Sequence, residues 1–252
     1  MKLEYVPYRQ LTKLLDRPAL LADACRINAL YMVSLAGRGH LGTSLSSMEA
    51  IVAIRHLMKD SNPFLSSKRG DIFLSSKGHD AVAQYAVLIA HGFLPEEMLH
   101  EFRRSLPGHP TVDVSAHIAA NTGSLGMGLS KAAGLAMSTE GTVYVLLGDG
   151  EMMEGQNWEA AMWAGQHKSN IVAVVDINGL SQDGAAFSQS HNIQYMFVAA
   201  GWHTFNVSRA NEYENVEQAL LDLSIYTRRP AAILLHTTKG SGVREIEGKV
   251  ES

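Results

Sequence analysis

The chain has 252 residues, 46% of them hydrophobic and 18% charged, a composition ordinary for a globular protein and a length that fits one large or two small domains. Its formal net charge of −4 argues against nucleic acid or an anionic membrane surface as the main partner, so a polyanionic small molecule would have to be held by a local site.

In chain order, the N-terminus reads Met-Lys-Leu-Glu-Tyr with no long apolar stretch behind it, and no signal peptide is expected. Pro18 to Ala36 carries apolar residues at helical spacing, with proline near its start. The single cysteine, Cys25, falls in that pattern. It rules out an intrachain disulfide and reads as a core thiol, since no activating neighbour accompanies it. Met48 to Met58 is a predicted helix, Asp71 to Leu74 a short strand, and Asp80 to Ala90 a helix with Gly92 as its stop. Pro95 to Phe102 begins another helix. Thr142 to Leu147 is a continuous apolar run that ends in Gly148-Asp149-Gly150. Trp158 to His167 reads as helix, and its Trp158, Ala161, Met162 and Gly165 suit close packing against a core or an interface. Ile171 to Val175 is a strand that ends at Asp176-Ile177-Asn178-Gly179, Trp202 to Val207 another, Glu212 to Ile225 a helix closed by Pro230, and Ala231 to His236 a last strand. The longest apolar runs, such as Ile171 to Val175, are too short to cross a bilayer, and a reducing cytoplasm is the expected compartment.

Near-continuous apolar strands separated by helices predict an α/β fold, a mostly parallel sheet with helices on both faces. Such sheets bind ligands beyond the carboxyl ends of their strands. Gly148-Asp149-Gly150 and Asn178-Gly179 both sit at such ends, separated by 27 residues between Gly150 and Asn178, and are candidates for one site. Asp149 offers a carboxylate oxygen and Asn178 an amide oxygen, hard donors that suit Mg²⁺ or Ca²⁺ completed by phosphate oxygens. The glycines let backbone turn and approach a phosphate, and a helix beginning after Glu154 directs a positive dipole end toward the region.

Three of the 11 histidines follow glycine: His40, His79 and His109. Imidazole removes and returns protons near neutral pH and hydrogen-bonds a developing oxyanion, which are the tasks of chemistry on sugar hydroxyls and carbonyls.

Taken in order, these segments resemble the transketolase family of thiamine-diphosphate enzymes. Arg38-Gly-His-Leu-Gly42 is similar to the family's Ser-Gly-His-Pro-Gly, and Leu74-Ser-Ser-Lys-Gly-His79 to its Leu-Ser-Lys-Gly-His. Pro107-Gly-His-Pro110 matches directly. Thr122-Gly-Ser-Leu-Gly-Met-Gly128 is similar to Thr-Gly-Pro-Leu-Gly-Gln-Gly, and Gly148-Asp-Gly-Glu-Met-Met-Glu-Gly155 with Asn178-Gly-Leu-Ser-Gln-Asp-Gly184 resembles the diphosphate motif. The resemblance runs from about residue 20 to 240. It implies that Asp149, Asn178 and the carbonyl of Leu180 hold the metal. It implies that Gly123, Leu125, Gly126, Gly148, Gly150, Glu151 and His79 lie against thiamine diphosphate, and that His40, His79 and His109 handle protons and donor hydroxyls. Glu154 resembles a family glutamate at the subunit interface; a helix N-terminal acid is the equal alternative.

Several departures matter. Leu41 and Ser124 replace two family prolines, which alters local stiffness near the sugar pocket. The family's histidine beyond a glycine-rich segment such as Lys239-Gly-Ser-Gly242 does not occur in these residues. Nor do the pyrimidine-binding and C-terminal domains, whose activating glutamate is needed for turnover. The resemblance therefore implies that residues 1–252 form one diphosphate-binding domain, that a partner subunit carries the remainder, and that the two assemble as a heterotetramer. The implied reaction is transfer of a two-carbon ketol unit from a ketose, expected to be phosphorylated, to an aldehyde acceptor. Two other functions share these features: the decarboxylating subunit of a 2-oxo acid dehydrogenase or related glycolyl-forming enzyme, and a regulatory subunit that binds cofactor without turnover.

Overall fold

A computed structural model describes residues 4–58, 70–181, 184–185, 190–223 and 229–250. Five parallel strands form a sheet in the order β1-β2-β3-β5-β4: β1 Ile72–Ser75, β2 Val143–Gly148, β3 Ile171–Ile177, β4 His203–Val207 and β5 Ala231–His236. Each expected strand forms within a residue or two of its predicted place. β4 lies at the edge, and its half-buried and exposed residues contrast with the fully buried β3.

The helices are α1 Tyr8–Leu11, α2 Pro18–Ala36, α3 Leu41–Ser46, α4 Met48–Leu57, α5 Ala81–Ala90, α6 Gly128–Ala136, α7 Gly155–Gln166, α8 Ser190–Ala199 and α9 Tyr213–Asp222. The expected helix from Pro95 is a short 3₁₀ segment, Glu96–His100, because its residues serve only to turn the chain from α5 toward a long irregular connection. α7 begins three residues before its predicted start. Residues 224 and 225 of the helix expected after Glu212 lie outside the described set, as do Gln182 and Asp183 of the Asn178 segment.

Side-chain alternation along the strands divides the interior into two cores. Val143, Val145, Leu147, Ile171, Ala173, Val175, Ala232 and Leu234 face one side, with α6, α7 and α8. Leu146, Val172, Val174, Ile233 and Leu235 face the other, with α2, α4, α5 and α9. β1 and β5 lead toward this second face, whereas β2 and β3 lead toward the first. Chain leaving the four strands therefore diverges above their carboxyl ends and opens a crevice there.

α2 is 19 residues long and, contrary to the expectation from apolar runs, is long and apolar enough to cross a membrane by length and composition. It instead packs against α4 and α5 and carries the buried polar residues Arg26 and Asn28. Cys25 lies on its buried face, where burial pushes the thiol up to about 12, so the nucleophile reading has no support.

α7 resolves its own ambiguity. Ala161 is fully buried and its carbonyl accepts from Trp202 Nε1 at 2.8 Å, whereas Met162 is 58% exposed. A Cβ on Gly165 would stand 1.8 Å from the backbone oxygen of Ala200. The Gly165→Ala protein should therefore be less stable by about 1–3 kcal/mol, read as a lower urea midpoint at unchanged slope.

Candidate active site

The crevice is a cleft of about 670 Å³. Its walls come from the loop before α3 (His40), the end of β1 (Lys77, His79) and the long connection before α6 (His109, Gly123, Leu125). The floor comes from the ends of β2 (Gly148 to Glu151), β3 (Asn178, Leu180, Ser181) and β5 (Lys239). Strand register is what gathers them: Gly148 pairs with Asp176, and Asp176 with Leu235, so the three strand ends stand level.

A buried ion pair ties these ends together. Lys77 Nζ lies 2.5 Å from Asp176 Oδ2, and the two residues are 1% and 0% exposed. Lys77 also donates to Ser47 Oγ at 2.6 Å. Asp176 Oδ2 accepts from Ser46 Oγ at 2.7 Å and from Asn178 Nδ2 at 3.3 Å, while Oδ1 accepts from Thr237. Burial alone would raise the Asp176 pKa; the Lys77 charge and these hydrogen bonds outweigh it and hold the carboxyl below its usual range.

Asp149 is 3% exposed; Oδ1 accepts from Gly150 N–H at 2.8 Å and Oδ2 from Gly179 N–H at 2.7 Å. Burial and the neighbouring Asp176 push its pKa up, opposed by those two N–H donors and by the Lys77 charge. Asn178 Oδ1 accepts from Leu180 N–H at 3.0 Å in a tight turn that brings its amide oxygen and the Leu180 backbone near Asp149. Gly179 has φ +74°, with open space where a Cβ would point. Among the described residues no group of three or more His, Cys, Asp or Glu side chains could hold a metal. The donors at hand are one carboxylate, one amide and backbone carbonyls, an all-oxygen set that suits a hard cation sharing oxygens with a phosphate.

Glu151 lines the cleft, and its carboxylate also has a structural task behind it. Its carboxylate is 2% exposed and accepts from Ser76 Oγ, from Gly126 N–H at 2.7 Å and from Gly148 N–H at 3.2 Å. It clamps the end of β1 and the 123–128 loop to β2. Burial raises its pKa, opposed by those donors. Gly123 and Gly126 have φ +120° and +83°, and Leu125 lines the cleft between them. The carbonyl of Leu125 accepts from Gln156 Nε2 at 2.9 Å, so the start of α7 buttresses this loop. Glu154 is exposed at the N-cap of α7 and outside the cleft lining. Of the two replaced prolines, Leu41 is the first residue of α3 with its side chain in the core, and Ser124 is exposed; neither lines the cleft.

The three glycine-preceded histidines converge. The His40 ring centroid lies 5.9 Å from that of His79 and 5.8 Å from that of His109. Each glycine makes room for a neighbour. A Cβ on Gly39 would come within 2.8 Å of Val33 and 2.9 Å of Phe102; on Gly78, within 2.8 Å of Thr122 and 2.9 Å of His109; on Gly108, within 2.3 Å of Arg103. Burial lowers all three imidazole pKa values, assisted at His40 by His109, Arg103 and Lys239, and at His109 by Arg103. At His79, burial and the Lys77 charge push it down to about 3. A base that weak takes up a proton poorly at neutral pH, which suits His79 to a fixed neutral hydrogen bond and His40 and His109 to proton exchange.

This architecture is that of a known family. The family model for the transketolase thiamine diphosphate binding domain matches residues 18–252. The chain belongs to the transketolase family. It is 34% identical over 241 residues to one of the subunits of the apulose-4-phosphate transketolase of Phocaeicola vulgatus, spanning 91% of this chain and 85% of that relative. It is 36% identical over 247 residues to a 6-deoxy-6-sulfo-D-fructose transketolase subunit of Clostridium sp., spanning 92% and 88%. Against mouse transketolase it is 38% identical over 243 residues, covering 90% of this chain but only 38% of that protein. Among solved structures, transketolase of Leishmania mexicana superimposes with a TM-score of 0.81 at 28% identity, over 93% of this chain and 38% of that one. The chain thus spans most of the length of the split-transketolase subunits and little more than a third of the undivided enzymes.

Sequence reading missed Thr43, Lys77, Ser181, Lys239 and Val250 among the lining residues. Lys239 was legible: it stands just past β5, at the carboxyl edge that directed attention to Asp149 and Asn178. Its Nζ donates to the Val250 carbonyl at 2.9 Å, and its loop is braced by Arg26, whose Nε donates to Ser241 O at 3.0 Å while its guanidinium pairs with Glu49.

Lys77→Met leaves Asp176 buried without its partner and should cost about 3–5 kcal/mol in urea denaturation. Acid stability should reflect His79 first. Its folded pKa of about 3 lies below the ordinary 6.5, so as pH falls below 6.5 the unfolded chain takes up a proton that the folded chain refuses, and stability is lost progressively toward pH 3. Asp176, depressed, contributes stability above its unfolded pKa of about 3.9 and loses it only at lower pH. The melting temperature should therefore fall between pH 7 and 5, with a shallower slope in His79→Gln.

Proposed function

We propose that this chain is the cofactor- and metal-binding subunit of a two-chain transketolase, transferring a two-carbon ketol unit from a ketose to an aldehyde. The observation that carries this reading is the meeting of three neutral imidazoles with Asp149 and Asn178 in one cleft. The split-transketolase relatives of similar length support it, and the apulose-4-phosphate and sulfofructose names among them point to a sugar with an anionic end group.

When bound, thiamine diphosphate supplies an acidic ring carbon that adds to a ketose carbonyl and accepts the electrons of the broken C–C bond. The chain's residues do the rest. Asp149, the amide oxygen of Asn178 and the Leu180 carbonyl would hold Mg²⁺ or Ca²⁺. Lys239 would set positive charge at the cleft floor, and Gly123, Leu125, Gly148 and Gly150 would let backbone lie close to the diphosphate, while Gly126 lies outside the cleft lining and gives its N–H to Glu151. His79 gives a fixed neutral hydrogen bond. His109 takes the proton from the donor hydroxyl beside the bond that breaks, and His40, against it, passes protons to and from the second sugar. Both imidazoles are kept neutral at pH 7 by burial and nearby positive charge, so each is free to accept.

A partner subunit supplies the pyrimidine-binding domain and the activating carboxylate, in a cytoplasmic heterotetramer with the cleft at the junction. Calorimetry with thiamine diphosphate and Mg²⁺, on this chain and on the chain with its partner, should give tight binding and ketol transfer only in the second case. Asp149→Ala should weaken Mg²⁺-dependent binding by about a hundredfold or more without unfolding the complex. Full activity from this chain alone would refute the division of the site.

A further inference from the structure

Gln156 has no part in the chemistry above, yet its side chain holds backbone that borders the cleft. Gly123 and Leu125 line that cleft, but the loop they belong to is held weakly from within. Among the described residues, the N–H groups of Gly123, Ser124 and Leu125 donate to no protein acceptor. Upstream, the loop is fixed by Thr122, whose N–H and hydroxyl both donate to the Pro110 carbonyl at 3.0 Å. Downstream, it is fixed at one peptide unit, the one joining Leu125 to Gly126. The C=O of that unit, on Leu125, accepts from Gln156 Nε2 at 2.9 Å. Its N–H, on Gly126, donates to Glu151 Oε1 at 2.7 Å.

A peptide unit that precedes glycine turns over easily, because glycine takes either sign of φ at little cost. Gly126 stands at φ +83°, and turning the unit over would carry it to negative φ while exchanging the directions of C=O and N–H. Each polar end of the unit is pinned by a different side chain, so a flip breaks both hydrogen bonds at once; Glu151 by itself would hold one end. The loop also lies against the first turn of α7. A Cβ on Gly126 would come within 2.6 Å of Glu154 Cβ and 2.9 Å of Gln156 Nε2. Gln156 is itself half-buried and outside the cleft lining.

We propose that Gln156 is a positioning residue for the cofactor: with Glu151 it locks the Leu125–Gly126 peptide in the orientation that presents the 123–125 backbone to thiamine diphosphate. The inference rests on the reading that this cofactor fills the cleft. Gln156 acts through the loop and touches neither cofactor nor sugar, so its loss weakens the grip on the cofactor and leaves the grip on the sugar alone.

The test compares wild type, Gln156→Met, Gln156→Glu and Gln156→Lys, each co-purified with the partner subunit. Gln166→Leu, on the exposed last turn of α7, serves as the control. Thiamine diphosphate affinity is measured by calorimetry at saturating Mg²⁺, and the KM of a ketose phosphate at saturating cofactor. Gln156→Met keeps the bulk of the side chain and removes the donor; its cofactor affinity should fall about three- to tenfold, the range of one lost hydrogen bond, with the sugar KM unmoved. Gln156→Glu, which sets an acceptor against the carbonyl, should lose at least as much, and Gln156→Lys, which restores a donor, should recover part. Hydrogen exchange of the ligand-free complexes adds a readout independent of activity: the Gly126 amide should exchange faster in Gln156→Met, while the Gly128 amide, bonded to Ser76 Oγ at 3.0 Å, keeps its wild-type rate. Unchanged cofactor affinity in Gln156→Met, an equal loss in Gln166→Leu, or a parallel rise in sugar KM overturns the proposal. If the wild-type complex binds no thiamine diphosphate, the cofactor reading itself fails, and the lock is judged by exchange alone: a faster Gly126 amide upholds it, and equal rates refute it.

Discussion

The buried pair of Lys77 and Asp176 is the joint on which the site depends. Asp176 is the sixth residue of β3, on the same side of the strand as Val172 and Val174, and would face a purely apolar core were Lys77 not brought over from the end of β1. The pair does not stand alone: Ser46 and Ser47 at the junction of α3 and α4, Thr237 beyond β5 and Asn178 all bond to the same carboxylate. Replacing such a network by apolar residues can be neutral for stability, while removing one member is costly. Its value here is geometric. It fixes the separation of three strand ends and one helix junction, and through Asn178 it sets the direction of an amide oxygen near Asp149.

A second network, centred on Glu151, does for the upper loop what Asp176 does for the floor. Three donors from three segments converge on one buried carboxylate, so the 123–128 loop cannot move without disturbing β1 and β2. Both networks are built on buried charged groups, and each reaches the cleft surface through one member, Lys77 or Glu151. The residues that face the cleft are thereby held by a rigid layer, the arrangement that proximity and electrostatic preorganisation require.

The cleft itself presents neutral bases beside fixed cations. Burial and nearby positive charge keep His40, His79 and His109 unprotonated at pH 7, so the positive charge of the cleft comes from its lysine side chains. The graded depression, greatest at His79 beside Lys77, separates a histidine suited to constant hydrogen bonding from two suited to exchanging protons. The same glycines that define the sequence motif enforce this crowding, since Gly39, Gly78 and Gly108 each yield the space of a side chain to a neighbour.

The α/β class, the places of all five strands and the candidate ligands Asp149 and Asn178 were legible in the sequence, because local hydrophobic runs and turn residues at strand ends are near-neighbour signals. The three histidines were marked in the same way, through their glycines. The insertion of β5 between β3 and β4 was not legible, since strand order is set by which helices cover which face. Nor could any local pattern show that Lys77 is a buried counterion, that Glu151 is a clamp or that Arg103 lies over Gly108. The first two roles arise between residues 99, 75 or 25 positions apart, as in Lys77–Asp176, Ser76–Glu151 and Gly126–Glu151, and depend on burial and strand register that only the folded chain supplies. Lys239 is the intermediate case: its position after β5 was readable, but its approach to Asp149 required β5 to lie next to β3.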